Sequence, residues 1–159
     1  MERERPEAEA EQELAAAVRA IAFTARRLER ALGETDMTLP QFRVLALIAS
    51  SSARAGRIAE QAAVSRPSLT GLLDGLEARG WIRRVSVAGD RRGVLPEVTP
   101  AGARAFCKAE AAMSNALGDL LDDDDTPSAA RTRVLHGLTA LDDILRARSQ
   151  IDAPRVPTR

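Results

Sequence analysis

The sequence predicts a mainly α-helical fold with one small β-hairpin near its middle. The apolar residues are chiefly Ala, Leu, Val and Ile, with three Phe, one Trp and no Tyr, which favours closely packed helices. They recur every three or four positions along most of the chain and alternate only after Trp81. A chain of 159 residues suits one domain with a single core.

Two helices are predicted before residue 50. The first covers residues 9–32, ends at Gly33, and carries one apolar stripe: Leu14, Val18, Ile21, Ala25, Leu28 and Leu32. Thr38 is placed to cap the second, which has Pro40 in its first turn. The buried face of this second helix is predicted to be Phe42, Leu45, Ile48 and Ala49.

The next segment is predicted to be helix, tight turn, helix. A short helix over residues 57–63 turns Ile58, Ala59 and Ala62 inward, and the turn follows at Val64 and Ser65. Ser65 caps a longer helix over residues 67–79, Pro67 lies in its first turn, and Gly80 stops it. Its core stripe is predicted to be Leu69, Leu72, Leu73 and Leu76.

A β-hairpin follows Trp81, because apolar residues then alternate at Ile82, Val85 and Val87. Residues 88–93 form its charged tip, and Pro96 in the returning strand 94–99 indicates an edge strand. Helix, turn, helix and hairpin in this order form a winged helix-turn-helix. In that fold the second helix enters the major groove of DNA and the hairpin tip reaches the minor groove.

Two more helices are predicted after the hairpin. Thr99 and Pro100 open one over residues 101–121, whose apolar residues are Phe106, Met113, Leu117 and Leu120. A solvated acidic loop at residues 122–125 leads to Thr126 and Pro127, which begin the last helix. Its apolar residues are Val134, Leu135, Leu138, Leu141, Ile144 and Leu145.

The formal charge is zero overall but unevenly spread. Residues 54–92 hold eight Arg against four acids, whereas residues 2–13 hold six Glu against two Arg. Positive charge concentrated in the winged helix suits a polyanionic partner that approaches from one side.

The residues exclude several classes of function. One cysteine, Cys107, and one histidine, His136, leave no cluster for a metal site or a nucleophile and base pair, so no enzyme activity, metal or cofactor is expected. No apolar run is long enough to span a bilayer, and the acidic start is unlike a secretory signal. We therefore expect a cytoplasmic protein without a membrane partner.

Several segments together resemble the MarR family of transcriptional regulators. They are Leu39-Pro40-Gln41-Phe42-Arg43-Val44-Leu45, Ile58-Ala59-Glu60-Gln61, Leu73-Asp74-Gly75-Leu76-Glu77-Ala78-Arg79-Gly80-Trp81-Ile82, Asp90-Arg91-Arg92-Gly93-Val94-Leu95 and Val98-Thr99-Pro100-Ala101-Gly102. The resemblance covers residues 10–148 and is most specific in the wing. It implies a homodimeric, ligand-responsive repressor that binds a pseudo-palindromic double-stranded DNA operator with half-sites about 10 bp apart.

The resemblance also implies DNA-contacting residues. By match, Asp90 braces the hairpin and Arg92 or Arg91 enters the minor groove, with a solvated charged turn as the alternative. In the recognition helix Ser65, Arg66, Pro67, Ser68 and Thr70 are predicted to contact phosphates or bases, although for Ser65 capping alone is an equal alternative. Arg83 and Arg84 are candidates for phosphate contacts or simply exposed strand residues.

The recognition helix departs from the family at Gly71 and Gly75, predicted to lie on its solvent side. Two glycines there cost a helix about 1 kcal/mol each relative to Ala. Either the helix lies close to DNA or few side chains read bases. A winged helix used only for protein contact is a further alternative.

The terminal helices carry more apolar surface than a winged helix alone needs, which indicates a dimer. By the resemblance, residues 9–148 form one domain, with a DNA-binding part at 36–100, dimerisation helices at 9–33 and 101–148, and flexible tails at 1–8 and 150–159.

The chain also offers candidates for a ligand site and a redox site. Arg19, Phe23, Arg26 and Arg30 form a second stripe that could hold a small anionic aromatic effector, with Phe42 and the fifth helix completing the cleft. Its alternative is a solvated face with arginines paired to Glu. Redox sensing by Cys107 is the less favoured alternative to a buried small residue.

Overall fold

The computed structural model describes residues 4–50, 55–86, 94–122 and 126–151. Six helices and one two-stranded sheet lie in these ranges, in the order α1 (Glu4–Leu32), α2 (Leu39–Ser50), α3 (Ala55–Gln61), α4 (Arg66–Ala78), β1 (Ile82–Ser86), β2 (Val94–Val98), α5 (Pro100–Leu121) and α6 (Ser128–Ile151). The predicted fold class, mainly helical with a small hairpin, is confirmed.

The chain forms two compact units that divide between Leu117 and Gly118. In the first, α2, α3 and α4 bury their apolar faces in one core with the end of α1, the start of β1 and part of α5. Leu76, Ile58, Leu45 and Val44 are fully buried there, and Leu32 joins them from α1. This core fixes the helix-turn-helix.

The hairpin is antiparallel, with Ile82 opposite Val98 and Ser86 opposite Val94. Pro96 stands opposite Arg84, and because proline has no N–H it donates no ladder hydrogen bond there. The edge position predicted from Pro96 fits this sheet of two strands.

The junction between hairpin and α5 is tightly packed. The Thr99 hydroxyl donates to the Gly80 carbonyl at 2.6 Å and accepts from the Gly102 N–H at 3.0 Å, while the Thr99 N–H donates to the Trp81 carbonyl at 3.0 Å. Thr99 therefore caps α5 and ties it to the segment that follows α4.

Helix α1 begins at Glu4, five residues earlier than the predicted start at Glu9. The apolar stripe begins only at Leu14, so periodicity could not indicate the polar first turns. Toward its end α1 packs against the rest of the first unit, and the Arg27 side chain donates to the Ala116 carbonyl of α5 at 3.1 Å.

Candidate nucleic-acid interface

Local sequence signals place the recognition helix α4. Ser65 is its N-cap and accepts a hydrogen bond from the Ser68 N–H at 3.2 Å. In the preceding turn Ala63 has a left-handed backbone (φ 54°), which is unfavourable for a residue with a Cβ. The tight turn therefore holds a strained residue shortly before the cap.

The far end of α4 is closed by a left-handed glycine. Gly80 has φ +68°, its N–H donates to the Glu77 carbonyl at 2.8 Å, and the Trp81 N–H donates to the Leu76 carbonyl at 2.9 Å. This pair of bonds is the Schellman motif, and it confirms the predicted stop at Gly80.

The predicted contact residues of α4 all lie at its N-terminal end and are exposed: Ser65, Arg66, Pro67, Ser68 and Thr70. Their hydroxyls are already engaged locally. The Ser65 and Ser68 hydroxyl oxygens lie 2.7 Å apart, and the Thr70 hydroxyl donates to the Arg66 carbonyl at 3.1 Å. Arg66 makes no ion pair with any residue that the structure describes.

The two glycines of α4 differ in their surroundings. A Cβ added at Gly71 would meet no described atom within 4 Å, so this position is open, as predicted. Gly75 is half-buried instead, and its Cβ would lie 3.8 Å from Gln41 Nε2. The prediction that both glycines face solvent is therefore wrong for Gly75, which packs toward the first turn of α2.

Arg83 and Arg84, predicted as phosphate contacts, are both held by acids. Arg83 donates to Glu97 Oε2 at 2.7 Å across the hairpin. Arg84 reaches back to α4, where it contacts Asp74 and lies 2.9 Å from Glu77 Oε2. The hydrogen bond to Asp74 is the main cause that raises the pKa of Arg84 above its usual value.

Arg79, the C-cap of α4, is engaged as well. It donates to the Asp36 carbonyl at 2.7 Å, and its guanidinium lies 5.0 Å from the centre of the Trp81 ring. Sequence reasoning assigned no role to Arg79, because its bond to Asp36 joins residues 43 positions apart and leaves no local signal. Only the neighbouring Gly80-Trp81 pair could have suggested the ring contact.

The wing-tip residues Asp90, Arg91 and Arg92 lie outside the described residues, as does the predicted tip at residues 88–93. Strands β1 and β2 present the hairpin beside α4, and their pairing leads directly toward this segment. The tip contacts with DNA therefore stay predictions.

The predicted ligand residues occupy two settings. Arg19, Phe23 and Arg26 are exposed on α1, where Phe23 is 77% exposed and Arg26 pairs with Glu29 at 3.7 Å. Phe42 is half-buried, and its ring stacks on that of Phe106 with centroids 4.8 Å apart. The pairing of Arg26 matches the solvated-face alternative, and Cys107 is exposed rather than buried.

Comparison with known proteins identifies related sequences. A protein-family model described as the MarR family matches residues 35–93. The multiple antibiotic resistance protein MarR of Salmonella typhimurium is 37% identical over 84 residues, which are 52% of this chain and 58% of that relative. The chain thus matches little more than half the length of this curated relative.

Solved structures share the fold. The transcriptional repressor CouR of Rhodococcus jostii RHA1, solved with a 23-mer DNA duplex, has a TM-score of 0.65 at 24% identity over 80% of this chain and 89% of that one. A MarR family protein of Mycobacterium tuberculosis, solved with salicylic acid, has a TM-score of 0.65 at 22% identity over 79% and 93%. The family match, the curated relative and the shared fold agree: residues 35–93 match the MarR family of transcriptional regulators, and the chain has the fold of a solved member of that family.

Proposed function

We propose that this protein is a sequence-specific double-stranded DNA-binding transcriptional regulator, a homodimeric repressor whose operator affinity responds to a small ligand. The observation that carries the proposal is the N-terminal end of α4. It presents an exposed Arg66 without an ion pair among the described residues, beside a capped helix start, in a winged helix-turn-helix. The related fold of a repressor solved on DNA supports it.

The chemistry of this helix end suits a phosphodiester. The first backbone N–H groups of a helix point outward and attract anions, and Arg66 adds a full positive charge beside them. Base contacts from Arg66, Ser68 or Thr70 would supply specificity, whereas phosphate contacts fix the helix in register.

Selection from a random duplex library tests the proposal and requires no known operator sequence. We expect enrichment of a pseudo-palindrome with half-sites about 10 bp apart. Fluorescence anisotropy on the enriched duplex should show affinity that falls steeply with salt. Failure to enrich any sequence over random DNA would refute specific DNA binding and favour a winged helix used for protein contact.

Arg66→Ala and Arg92→Ala probe the two contact regions. If Arg66 binds a phosphate, its loss should lower the slope of log affinity against log salt by about 0.9. If it reads a base, discrimination at one position should fall by about 1–3 kcal/mol. Lys108→Ala removes one exposed positive charge from α5 and is the matched control.

Homodimerisation is supported by apolar residues that a single chain leaves exposed. On α1 these include Val18, 58% exposed, and Ile21, 54% exposed; on α6 they include Ile144, 50% exposed, and Leu138. Such long apolar stripes on amphipathic helices are typical of surfaces that a partner covers.

Light scattering at fixed concentration tests the dimer. The wild-type protein should have twice the chain mass of 17.1 kDa. Leu138→Glu should shift the population toward the monomer, because it places a charge in an apolar contact. His136→Glu, on nearly the opposite side of α6 by helical geometry, is the control and should stay dimeric. A dimer that tolerates Leu138→Glu would exclude this face.

The ligand response is proposed from two features. The exposed Arg19, Phe23 and Arg26 on α1 offer positive charge and an aromatic face to an anionic aromatic molecule, and a related fold is solved with salicylic acid. A ligand that prefers the dimer unable to fit both half-sites would release DNA. Addition of salicylate to the anisotropy assay should weaken binding in the wild type and less in Arg19→Ala.

A further inference from the structure

The Arg84 side chain of the hairpin contacts two acidic residues of the recognition helix. Arg84 lies on β1, and its guanidinium contacts Asp74 of α4 and lies 2.9 Å from the carboxylate of Glu77. Asp74 and Glu77 are three residues apart and therefore lie on the same side of the helix. The two carboxylates and the guanidinium form a bridge between α4 and the hairpin.

The bridge spans a turn that could otherwise act as a hinge. Between α4 and β1 the backbone reverses through Arg79, the left-handed Gly80 and Trp81. Bonds at the apex fix the turn itself, as the Schellman motif and Thr99 show. The contact between Arg84 and Asp74 lies farther from the apex of the turn, because these residues are ten positions apart along the chain. A contact away from the apex restrains the angle between helix and strand more strongly than one at the apex.

The strand register places Arg84 where the hairpin lacks one backbone hydrogen-bond donor. Arg84 is opposite Pro96, which donates no backbone hydrogen bond to β1. Arg83, the preceding residue, pairs with Glu97 inside the hairpin. Of these two adjacent arginines, Arg84 is the one that joins the hairpin to the recognition helix.

Charge argues against a primary role of Arg84 in phosphate binding. Its positive charge is matched by two carboxylates, so the three groups together carry a net negative charge. The Arg84 side chain is 35% exposed, whereas Arg66 is exposed and has no acid partner among the residues that the structure describes.

We propose that Arg84 is a positioning residue that sets the angle between the hairpin and the recognition helix through Asp74 and Glu77, so that both reach DNA together. This inference rests on the proposed DNA-binding function. A helix and a hairpin that enter neighbouring grooves must keep a fixed mutual orientation, and a change in that angle weakens contacts that Arg84 itself does not make.

Neutralising Asp74 and Glu77 distinguishes phosphate binding by Arg84 from positioning of the hairpin, because the two roles predict opposite changes in DNA affinity. Removing a negative charge beside DNA strengthens binding if Arg84 contacts phosphate, because the freed guanidinium attracts the backbone more strongly. If Arg84 positions the hairpin, Asp74→Asn and Glu77→Gln weaken binding, by about 2- to 30-fold. Glu110→Gln neutralises an exposed acid on α5 and is the matched control.

Variants of Arg84 complete a double-mutant cycle with Asp74. Arg84→Gln should weaken binding as the acid variants do, with no further loss when Asp74→Asn is added and with an unchanged salt slope. Arg84→Lys keeps the charge but lacks the planar fork that serves two carboxylates, so part of the affinity should be lost. Tighter binding by both acid variants, or a salt slope lowered by about 0.9 in Arg84→Gln, would overturn the proposal.

Amide hydrogen exchange in the free protein keeps this test separate from the proposed function. Exchange in β1 should be faster in Arg84→Gln than in the wild type, because the hairpin is less restrained. If the wild type selects no duplex, the proposed function fails, and unchanged exchange in Arg84→Gln would independently refute the bridge.

Discussion

Replacing Gly102 with Ala probes the closest backbone approach among the described glycines. A Cβ built on Gly102 would lie 2.0 Å from the Trp81 carbonyl oxygen and 2.8 Å from its carbon. Both atoms belong to the backbone, and that carbonyl is held by the Thr99 N–H at 3.0 Å. No flexible side chain can move aside, so α5 or the segment that follows the recognition helix must shift.

The net effect combines a gain and a larger loss. Ala is better than Gly inside a helix by about 1 kcal/mol. Overpacking in a well-filled site costs about 1–3 kcal/mol and more when the backbone must move, and a 2.0 Å approach lies far inside van der Waals contact. We expect Gly102→Ala to lower the free energy of unfolding by about 2 kcal/mol.

Gly118→Ala is the matched control, since it makes the same change in the same helix where the added Cβ meets no described atom within 4 Å. Urea unfolding at one fixed protein concentration measures both variants, because dimerisation makes apparent stability depend on concentration. Gly118→Ala should match or exceed the wild type. If Gly102→Ala is as stable as Gly118→Ala, the close packing of α5 on Trp81 is refuted.

Three further predictions use the same unfolding assay. Ser65→Ala removes the N-cap bond to Ser68 and should destabilise the protein by about 1 kcal/mol, whereas Ser65→Asp, which can still cap the helix, should keep most of the wild-type stability. Ala63→Gly relieves a left-handed backbone that costs a residue with a Cβ about 1–2 kcal/mol, so stability should rise by up to about 1 kcal/mol; a loss would show that the turn is not strained. Leu76→Ala empties a fully buried site, 0% exposed, and should cost about 2–5 kcal/mol, whereas Leu120→Ala, 41% exposed, should cost far less in samples matched for oligomeric state by light scattering.

The recognition helix was predictable because its limits are encoded locally. The predicted range of residues 67–79 differs from the observed Arg66–Ala78 by one residue at each end. Ser65, Pro67 and Gly80 each act on the backbone within a few residues, so no tertiary contact is needed to place them. Local signals also placed α2, where Thr38 and Gln41 bond each other's backbone N–H groups.

Contacts between elements were not predictable from one sequence. Three contacts of this kind join residues whose separation in sequence carries no periodic signal. They are the stacking of Phe42 on Phe106, the close packing of Gly102 on Trp81 and the packing of Gly75 beside Gln41. Burial of Gly75 depends on where α2 crosses α4, and a helical wheel of α4 alone does not contain that information.

The arginines of the winged helix show that a count of positive charges in the sequence overstates the charge available to DNA. The sequence has eight Arg between residues 54 and 92, which suggests one broad basic surface. Among those whose side chains the structure describes, three are engaged: Arg79 with the Asp36 carbonyl, Arg83 with Glu97, and Arg84 with Asp74 and Glu77. These arginines therefore stabilise the end of the recognition helix and the hairpin beside it, while Arg66 offers its charge at the N-terminus of that helix.

A phosphate backbone would then meet fewer cations than the sequence count suggests. The salt dependence of binding should reflect that smaller number, because each phosphate neutralised contributes about 0.9 to the slope.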